Sequence, residues 1–210
     1  MRVVDLSHPF SEDMPLYPGG RPPEIRQART VGKDGYAEKR VAFSTHTGTH
    51  IDAPAHMLAG APTLDRLGLD HFVGPARILD VAGMETIPKS FLEARAAELE
   101  GCAFVLFHTG WDRHWGAPAY FEGFPVLARD AAEWLGARGL KGVGFDACSV
   151  DPVASTTYEI HFALFRAGLI SIENLRGLGP LAGQRVLFSC LPLHWEDADG
   201  CPVRAVALLD

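Results

Sequence analysis

The sequence lacks the segments by which proteins reach or cross a membrane. Its N-terminal stretch, MRVVDLSHPFSEDMP, contains no apolar run long enough for a signal peptide, and no later segment approaches a membrane span. It also lacks a run of basic residues, and its formal net charge is −7. Binding to a phosphate backbone is therefore not expected. These absences predict a cytoplasmic protein with neither a membrane nor a nucleic acid as its partner.

Cysteine is scarce, and two common catalytic motifs are missing. The four cysteines (Cys102, Cys148, Cys190 and Cys201) are widely scattered without a C-x-x-C pair, which disfavours a thiolate zinc site and a disulfide framework. No G-x-S-x-G occurs, so a serine nucleophile elbow is excluded. The glycine pattern of residues 142–147 falls within a predicted strand rather than at the start of a helix, so it does not indicate a dinucleotide site.

The composition that remains is that of an ordinary globular protein. The chain has 210 residues, of which 47% are hydrophobic and 21% charged, and it contains neither repeats nor a linker-like segment. We therefore expect one domain over residues 1–210. The proline- and glycine-rich PLYPGGRPP, residues 15–23, is expected to be a surface loop.

Short apolar runs alternate with helical patterns, which predicts an α/β fold. Helices are expected over FLEARAAELEG with Gly101 as its stop, over RDAAEWLGARG, and over HFALFRAG up to Gly168. A tight turn at residues 197–200 predicts at least one antiparallel strand pair. The predicted strands are Val73 to Val81, Phe104 to His108, Gly142 to Asp146, Leu169 to Ile172, Val186 to Leu191 and Val203 to Leu208.

The stretch STHTGTHIDAPAHM holds three of the chain's nine histidines. His46, His50, Asp52 and His56 all have even numbers, so an extended chain would direct their side chains to one face. Full extension would separate His46 from His50 by roughly 13 Å, which is too far for one ion, so we expect a bend at Gly48. A helical turn would also align the histidines, but threonine and glycine make a poor helix, so we expect a strand that breaks into a loop before Pro54.

Imidazole and carboxylate groups are ligands of zinc, manganese and iron, and three such ligands leave coordination positions open. The alternative is three unrelated histidines, each held by its own hydrogen bond. The spacing and the small intervening residues favour a metal site.

The motif HTGTHIDAPAH resembles the H-x-G-T-H-x-D-x-P-x-H signature of the metal-dependent cyclase-like hydrolases, which include bacterial kynurenine formamidase and isatin hydrolase. The resemblance extends along nearly the whole chain. It includes DLSHPFSEDMPLYPG, HTGW, FPVLARDAAEWL, GVGFDACSVDP and IHFALFRAGLISIENL, and it ends with LPL and DGCPVRAVAL, in the family's order.

The resemblance implies a fold and a metal site. The fold would be a compact, barrel-like mixed sheet flanked by helices, of the swivelling β/β/α type. The site would hold two divalent ions per chain, with zinc as the first choice and manganese as the second. By position, the first ion would be bound by His46, His50 and Asp52, the second by Asp52 and His161, and both by Glu173. His56 would act as proton donor and acceptor rather than as a permanent ligand.

The resemblance also implies a substrate and an assembly. A small aromatic N-formyl amide is the leading substrate, as for an arylformamidase, and ring opening of isatin or of another cyclic amide or lactone is the alternative. Tyr17 stands where kynurenine formamidases carry a tryptophan against the substrate, although it could instead only cover the core. A homo-oligomer, dimer or tetramer, is expected. The competing class is a metal-binding protein without hydrolase activity, against which His56 argues because binding alone needs no free base.

Other polar residues are expected to have supporting roles. His108, His114 and His194 are interpreted as polar or pocket-wall residues rather than as ligands. Ser149 and Asp151, in CSVDP, are expected to fix a turn rather than to catalyse.

Overall fold

The core of the protein is one mixed sheet of nine strands, as seen in a computed structural model that describes residues 1–209. Two further sheets have two strands each. The strands are β1 Arg2–Asp5, β2 Glu24–Arg29, β3 Glu38–Ala42, β4 His50–Asp52, β5 Val73–Asp80, β6 Thr86–Ile87, β7 Phe104–His108, β8 Val126–Leu127, β9 Gly142–Phe145, β10 Ile170–Glu173, β11 Arg185–Ser189, β12 Gly200–Pro202 and β13 Val206–Leu209.

The helices are short. The α-helices are α1 Val31–Asp34, α2 Lys89–Glu93, α3 Arg129–Gly136 and α4 Glu159–Arg166. Single 3₁₀ turns lie at Pro54–His56, Leu64–Arg66, Leu69–Phe72, Ala96–Leu99, Trp111–His114, Pro118–Phe121 and Gly179–Leu181. None of the helices in the described part of the chain has the length and hydropathy that a bilayer crossing requires.

The large sheet has the order β1-β13-β11-β5-β7-β9-β10-β4-β12. Its centre, from β5 to β10, is parallel, and its flanks are antiparallel. Strand β12 is the edge strand at one end of this order, and β13 lies next to the edge strand β1 at the other end, yet only residues 203–205 separate β12 from β13. Four residue steps span at most about 14 Å, so the two edges of the sheet must approach each other. This curl confirms the barrel-like mixed sheet that the family resemblance implied.

Alternate side chains of the central strands serve two cores, because successive residues of a strand face opposite sides. Phe104 and Leu106 of β7 pack inside the curl, whereas Val105 and Phe107 pack toward the helices α2, α3 and α4. The sheet is therefore buried on both faces at its centre. The polar side chains of the candidate site lie in short strands, at strand ends and in loops.

The predicted elements are confirmed at the centre of the chain and need correction elsewhere. β5 and β7 match their predicted runs within one residue, but the predicted strand Val203 to Leu208 begins only at Val206. The helix predicted over FLEARAAELEG is broken into α2 and the 3₁₀ turn Ala96–Leu99. The predicted antiparallel pair is present between β11 and β13, but the chain between them also forms β12, which pairs with β4.

A hairpin of β2 and β3, residues 24–42, forms a two-stranded sheet of its own. Every side chain of these two strands is exposed except that of Ile25, which is intermediate. Val31, Tyr36 and Val41 are its large exposed hydrophobic residues. Since an isolated two-stranded hairpin is marginally stable in water, this arm is suited to packing against another surface.

Candidate metal centre

The chain bends at Gly48 before entering β4, as the sequence predicts. Gly48 has a φ of +65°, a left-handed conformation that glycine adopts without steric cost. The bend brings the rings of His46 and His50 to a centroid distance of 5.3 Å, far less than an extended strand would allow. His50 and Asp52 then occupy alternate positions of β4, and both are buried.

Strand pairing supplies the next carboxylate. β10 lies antiparallel to β4 with Glu173 opposite His50 and Ser171 opposite Asp52. The Glu173 Oε2 atom is 3.6 Å from His50 Nε2. The Ser171 hydroxyl donates a hydrogen bond of 2.7 Å to Asp52 Oδ2. The register therefore fixes both carboxylates beside His50.

Helix α4 adds His161 from the other side. Its Nε2 atom lies 3.3 Å from Glu173 Oε1 and 4.0 Å from Asp52 Oδ2. The five residues that the resemblance suggests as ligands thus converge, although they come from three separate segments. Two triplets have ligand atoms within 4.8 Å of one another, and Asp52 belongs to both: His46, His50 and Asp52, and Asp52, His161 and Glu173.

Each of these histidines turns one ring nitrogen toward the centre and holds the other against an outer oxygen. His50 Nδ1 is 2.8 Å from the carbonyl oxygen of Gly48, and His161 Nδ1 is 2.6 Å from Asp151 Oδ2. His46 Nε2 is 3.0 Å from Asp199 Oδ2. Histidines that ligate metals almost always donate their other N–H in this way. The donor set and its outer partners fit divalent ions.

Asp151 does more than fix a turn. Its carboxylate accepts hydrogen bonds from the backbone N–H groups of Ile160 and His161, at 3.1 and 3.0 Å, and so holds the start of α4. The same carboxylate faces the His161 ring. Asp151 therefore fixes the orientation of that imidazole, a role that the sequence analysis did not predict.

Asn174 stabilises the bend that carries the first histidines. It follows Glu173 directly and has a left-handed φ of +56°. Its amide donates to the Gly48 carbonyl at 2.9 Å, and its side-chain oxygen accepts from the Tyr120 hydroxyl at 2.8 Å. The Thr49 hydroxyl donates to the Asn174 carbonyl at 2.6 Å. In the sequence, the one signal for this role is that Asn174 directly follows the proposed ligand Glu173 in the segment ENL.

His56 lies beside the centre rather than within it. It ends the 3₁₀ turn Pro54–His56, and its ring lies against that of His46 at a centroid distance of 3.8 Å, with the two planes tilted by 36°. Its Nδ1 atom is 3.7 Å from Asp199 Oδ2. Burial lowers the pKa of His56, so its imidazole is neutral at neutral pH.

The buried carboxylates dominate the electrostatics of the centre. Burial opposes the charged form of His46, but Asp52 and Asp199 outweigh burial and raise the pKa of His46 to about 9. Burial is likewise outweighed at His161, where Asp151 and Glu173 raise the pKa to about 10. Burial would raise the pKa of Asp52, yet His50 and His46 hold it well below its usual value. The buried carboxylates of the site therefore favour the binding of positive charge, either as protons on the histidines or as metal ions.

A cavity of about 590 Å³ opens onto this centre. Its walls include Tyr17, Phe121, Tyr158 and Phe162. Among the described residues that line the cavity there is no Lys or Arg. Tyr17 is partly exposed, and its hydroxyl is 3.4 Å from the carbonyl oxygen of Val153. The cavity therefore combines aromatic walls with a polar floor of histidines and carboxylates.

The remaining histidines considered in the sequence lie outside the cavity lining. His108 Nδ1 is 3.0 Å from Asp80 Oδ1, and His114 Nε2 accepts a hydrogen bond from Arg113. His194 is exposed. Ser149 does line the cavity.

Fold and site together define an α/β protein with a candidate divalent metal centre at the base of a cavity, and comparison with known proteins gives its family. A sequence model of the Cyclase family matches residues 4–152. The kynurenine formamidase of Bacillus cereus is 35% identical over 204 residues, which are 97% of this chain and 95% of that protein. The chain belongs to the cyclase family.

Solved structures agree with this assignment. Isatin hydrolase A from Ralstonia solanacearum superposes with a TM-score of 0.86 at 26% identity, over 100% of this chain and 92% of the other. A structure described as a predicted metal-dependent hydrolase from Bacillus stearothermophilus has a TM-score of 0.80 at 32% identity, over 98% and 97% of the two chains.

Proposed function

We propose that this protein is a metal-dependent amide hydrolase that acts on a small aromatic N-formyl amide, as an arylformamidase does. The observation that carries the proposal is the arrangement of two ligand triplets that share Asp52, with the neutral base His56 beside them at the floor of an aromatic cavity. The similarity to kynurenine formamidase along 97% of the chain supports it.

The proposed metal content is two divalent ions per chain, zinc in the first place and manganese as the alternative. His46, His50 and Asp52 would hold one ion, Asp52 and His161 the other, and Glu173 would contact both. The orientation of the Glu173 carboxylate supports its contact with both ions, because Oε2 faces His50 and Oε1 faces His161. Bound there, a divalent ion would lower the pKa of water from 15.7 to about 7 and would polarise the substrate carbonyl.

The chain's own residues would supply proton transfer and orientation. His56, neutral and half-buried, can take a proton from the attacking water and return it to the departing nitrogen of the amide. The aromatic walls would hold the aryl ring of the substrate, and Tyr17 at the rim would stack on it. Asp151 and the Gly48 carbonyl would keep the ligand histidines in their orientation.

A second substrate class, cyclic amides such as isatin, is favoured by the charge of the cavity wall. N-formylkynurenine carries an α-carboxylate, and the lining, which falls wholly within residues 1–209, offers it neither Lys nor Arg. Isatin and simple formanilides carry no such group. The likeness to isatin hydrolase A at 26% identity agrees with this alternative.

The deciding experiment compares three substrates on protein reconstituted with zinc or with manganese. We expect hydrolysis of formanilide, and the ratio of kcat/KM for N-formylkynurenine to that for isatin assigns the substrate class. Elemental analysis should find about two ions per chain, and one ion or none would contradict the binuclear site. Full metal loading without hydrolysis of any of the three would favour the non-catalytic metal-binding alternative.

The role proposed for Tyr17 has a matched control. Tyr17→Ala should raise KM for the aromatic substrates and leave metal content unchanged. Leu69→Ala removes an exposed hydrophobic side chain that lies outside both the cavity lining and the hairpin arm and should alter neither. Equal KM values for both variants would show that Tyr17 only covers the core.

We also propose that the whole chain is one cytoplasmic domain that assembles into at least a dimer. The exposed hairpin arm of residues 24–42 supports assembly, because its apolar side chains Val31, Tyr36 and Val41 lack cover within the described chain. Light scattering should give a multiple of 22.8 kDa. An active monomer would contradict the proposal.

A further inference from the structure

We propose that Asp199 is a positioning residue that holds His46 and His56 together, and so links metal binding to proton transfer. The inference rests on the proposed function, since it takes His46 as a metal ligand and His56 as the proton carrier. Asp199 opens the segment DGCPVRAVAL that the family resemblance includes, but neither the histidine motif nor the resemblance gave it a role, and the sequence analysis otherwise placed it in a turn.

The backbone of Asp199 is fixed to the segment that carries both histidines. Its carbonyl accepts a hydrogen bond of 2.8 Å from the N–H of Ala53, and the next residue, Gly200, pairs with Asp52 across β12 and β4. The N–H of His56 in turn bonds to the Ala53 carbonyl at 2.9 Å. The Asp199 carboxylate is therefore held in a fixed relation to the two rings.

The contact with His46 determines which of its nitrogens is free for a metal. Asp199 Oδ2 lies 3.0 Å from His46 Nε2, while His46 Nδ1 faces Asp52 Oδ1 at 2.5 Å. A neutral imidazole has one N–H and one lone pair, and an ionised carboxylate can only accept. Both nitrogens thus face a carboxylate. Because Asp52 is itself a proposed ligand, an ion at the centre would replace the proton between Asp52 and Nδ1, and Asp199 would then hold the one remaining proton on Nε2.

The contact with His56 serves the other step. Asp199 Oδ2 is 3.7 Å from His56 Nδ1, and among the described residues it is the one carboxylate within 4.0 Å of that ring. When His56 takes a proton, the Asp199 charge lies beside the imidazolium and stabilises it. The contact between the His56 and His46 rings, at a centroid distance of 3.8 Å, keeps both rings within reach of the same oxygen.

The same three residues could instead ligate a third ion, because His46, His56 and Asp199 have ligand atoms within 4.8 Å of one another. His46 would then have to bind ions through both nitrogens. That requires a doubly deprotonated imidazolate, whereas a single N–H donor to a carboxylate needs no such species. The geometry therefore favours positioning.

The test compares Asp199→Asn and Asp199→Ala with the control Asp197→Asn. Asp197 lies on the same turn, its side chain is 71% exposed, and it faces Arg66 at 3.6 Å. Its φ of +54° is a conformation that asparagine tolerates. Zinc affinity is measured by competition with a chelator, zinc content by elemental analysis, and kcat and KM with formanilide, after circular dichroism has verified the fold.

In Asp199→Ala, zinc affinity should fall 10- to 100-fold, the range typical of outer partners of ligating histidines, and kcat should fall with it. Asp199→Asn can still accept from His46, so it should restore affinity to within about threefold while kcat stays at least tenfold low and KM is unchanged. The control should match the wild type.

Zinc affinity unchanged in Asp199→Ala, or a whole ion lost from its stoichiometry, would overturn the proposal. If Asp199→Ala does not fold, Asp199→Asn decides, and full kcat in that variant overturns the link to proton transfer. If the wild type hydrolyses no substrate, the proposed function fails, yet the zinc measurements still decide the role of Asp199.

Discussion

Replacing Gly200 by alanine should disturb the metal centre although it replaces none of the proposed ligands. A Cβ at this position would lie 2.5 Å from His46 Cε1 and 2.9 Å from both ring nitrogens. Carbon atoms pack best at about 3.5–4.0 Å, so the His46 ring would have to move by about 1 Å or more. Its other neighbours resist this movement, because His56 packs against the ring and Asp52 holds Nδ1.

The expected cost has two parts. Overpacking typically destabilises a protein by about 1–3 kcal/mol, and a misplacement of about 1 Å can reduce a rate on the order of 10²-fold. We therefore expect Gly200→Ala to lower the melting temperature, to weaken zinc binding and to reduce kcat. Gly32→Ala is the control, since a Cβ there meets nothing within 4 Å and should be neutral or slightly stabilising. Zinc affinity within twofold of the wild type in Gly200→Ala would refute the reasoning.

Three further predictions concern single histidines. His50→Ala should lower metal content and melting temperature together, since metal binding free energy is partly folding free energy; full metal content at an unchanged melting temperature would mean that His50 is not a ligand. His56→Ala should retain both ions and the fold while kcat falls on the order of 10²–10⁴-fold, less so for a substrate with a better leaving group; loss of an ion would make it a ligand. His8 stacks on Trp115 at 3.8 Å, and burial lowers its pKa to about 4. Because the unfolded chain binds this proton below about pH 6.5 and the folded chain does not, the free energy of unfolding should fall from pH 6.5 to 4, less steeply in His8→Phe by urea titration.

The sequence predicted the parts of the fold that local patterns specify. The continuous apolar run of β7 is a strand because its residues are buried on both faces between parallel neighbours, whereas β5 alternates, with Gly74, Ala76 and Ile78 buried. The strand β12 was not predicted, and β4 was expected only from the parity of the histidine stretch, since three residues each are too few for a periodic signal. They form because each is hydrogen-bonded to a neighbour far away in the chain.

The candidate site likewise contains residues that local sequence patterns predict and residues that they do not. The cluster around His50 and its bend at Gly48 could be predicted from spacing, because all its members lie within fourteen residues. His161 and Glu173 came only from the family resemblance, since Glu173 reaches His50 through the register of β10 and β4. Asp199 meets His46 across 153 positions of sequence. Contacts at that separation depend on the closure of the sheet, which local sequence patterns do not encode.

The charge of the centre predicts how the metal-free protein responds to pH. Ligating histidines must be neutral, but without ions His46 and His161, with pKa values of about 9 and about 10, keep protons that compensate Asp52 and Glu173. A histidine whose pKa is raised in the folded state contributes stability that is complete below about pH 6.5 and is lost as the pH rises through the folded value. Urea titration of the metal-free chain should therefore show a decrease in the free energy of unfolding from pH 7 to pH 10. The zinc-loaded chain, whose ions replace these protons, should lack most of this decrease. Equal pH profiles with and without zinc would mean that these buried carboxylates are compensated elsewhere.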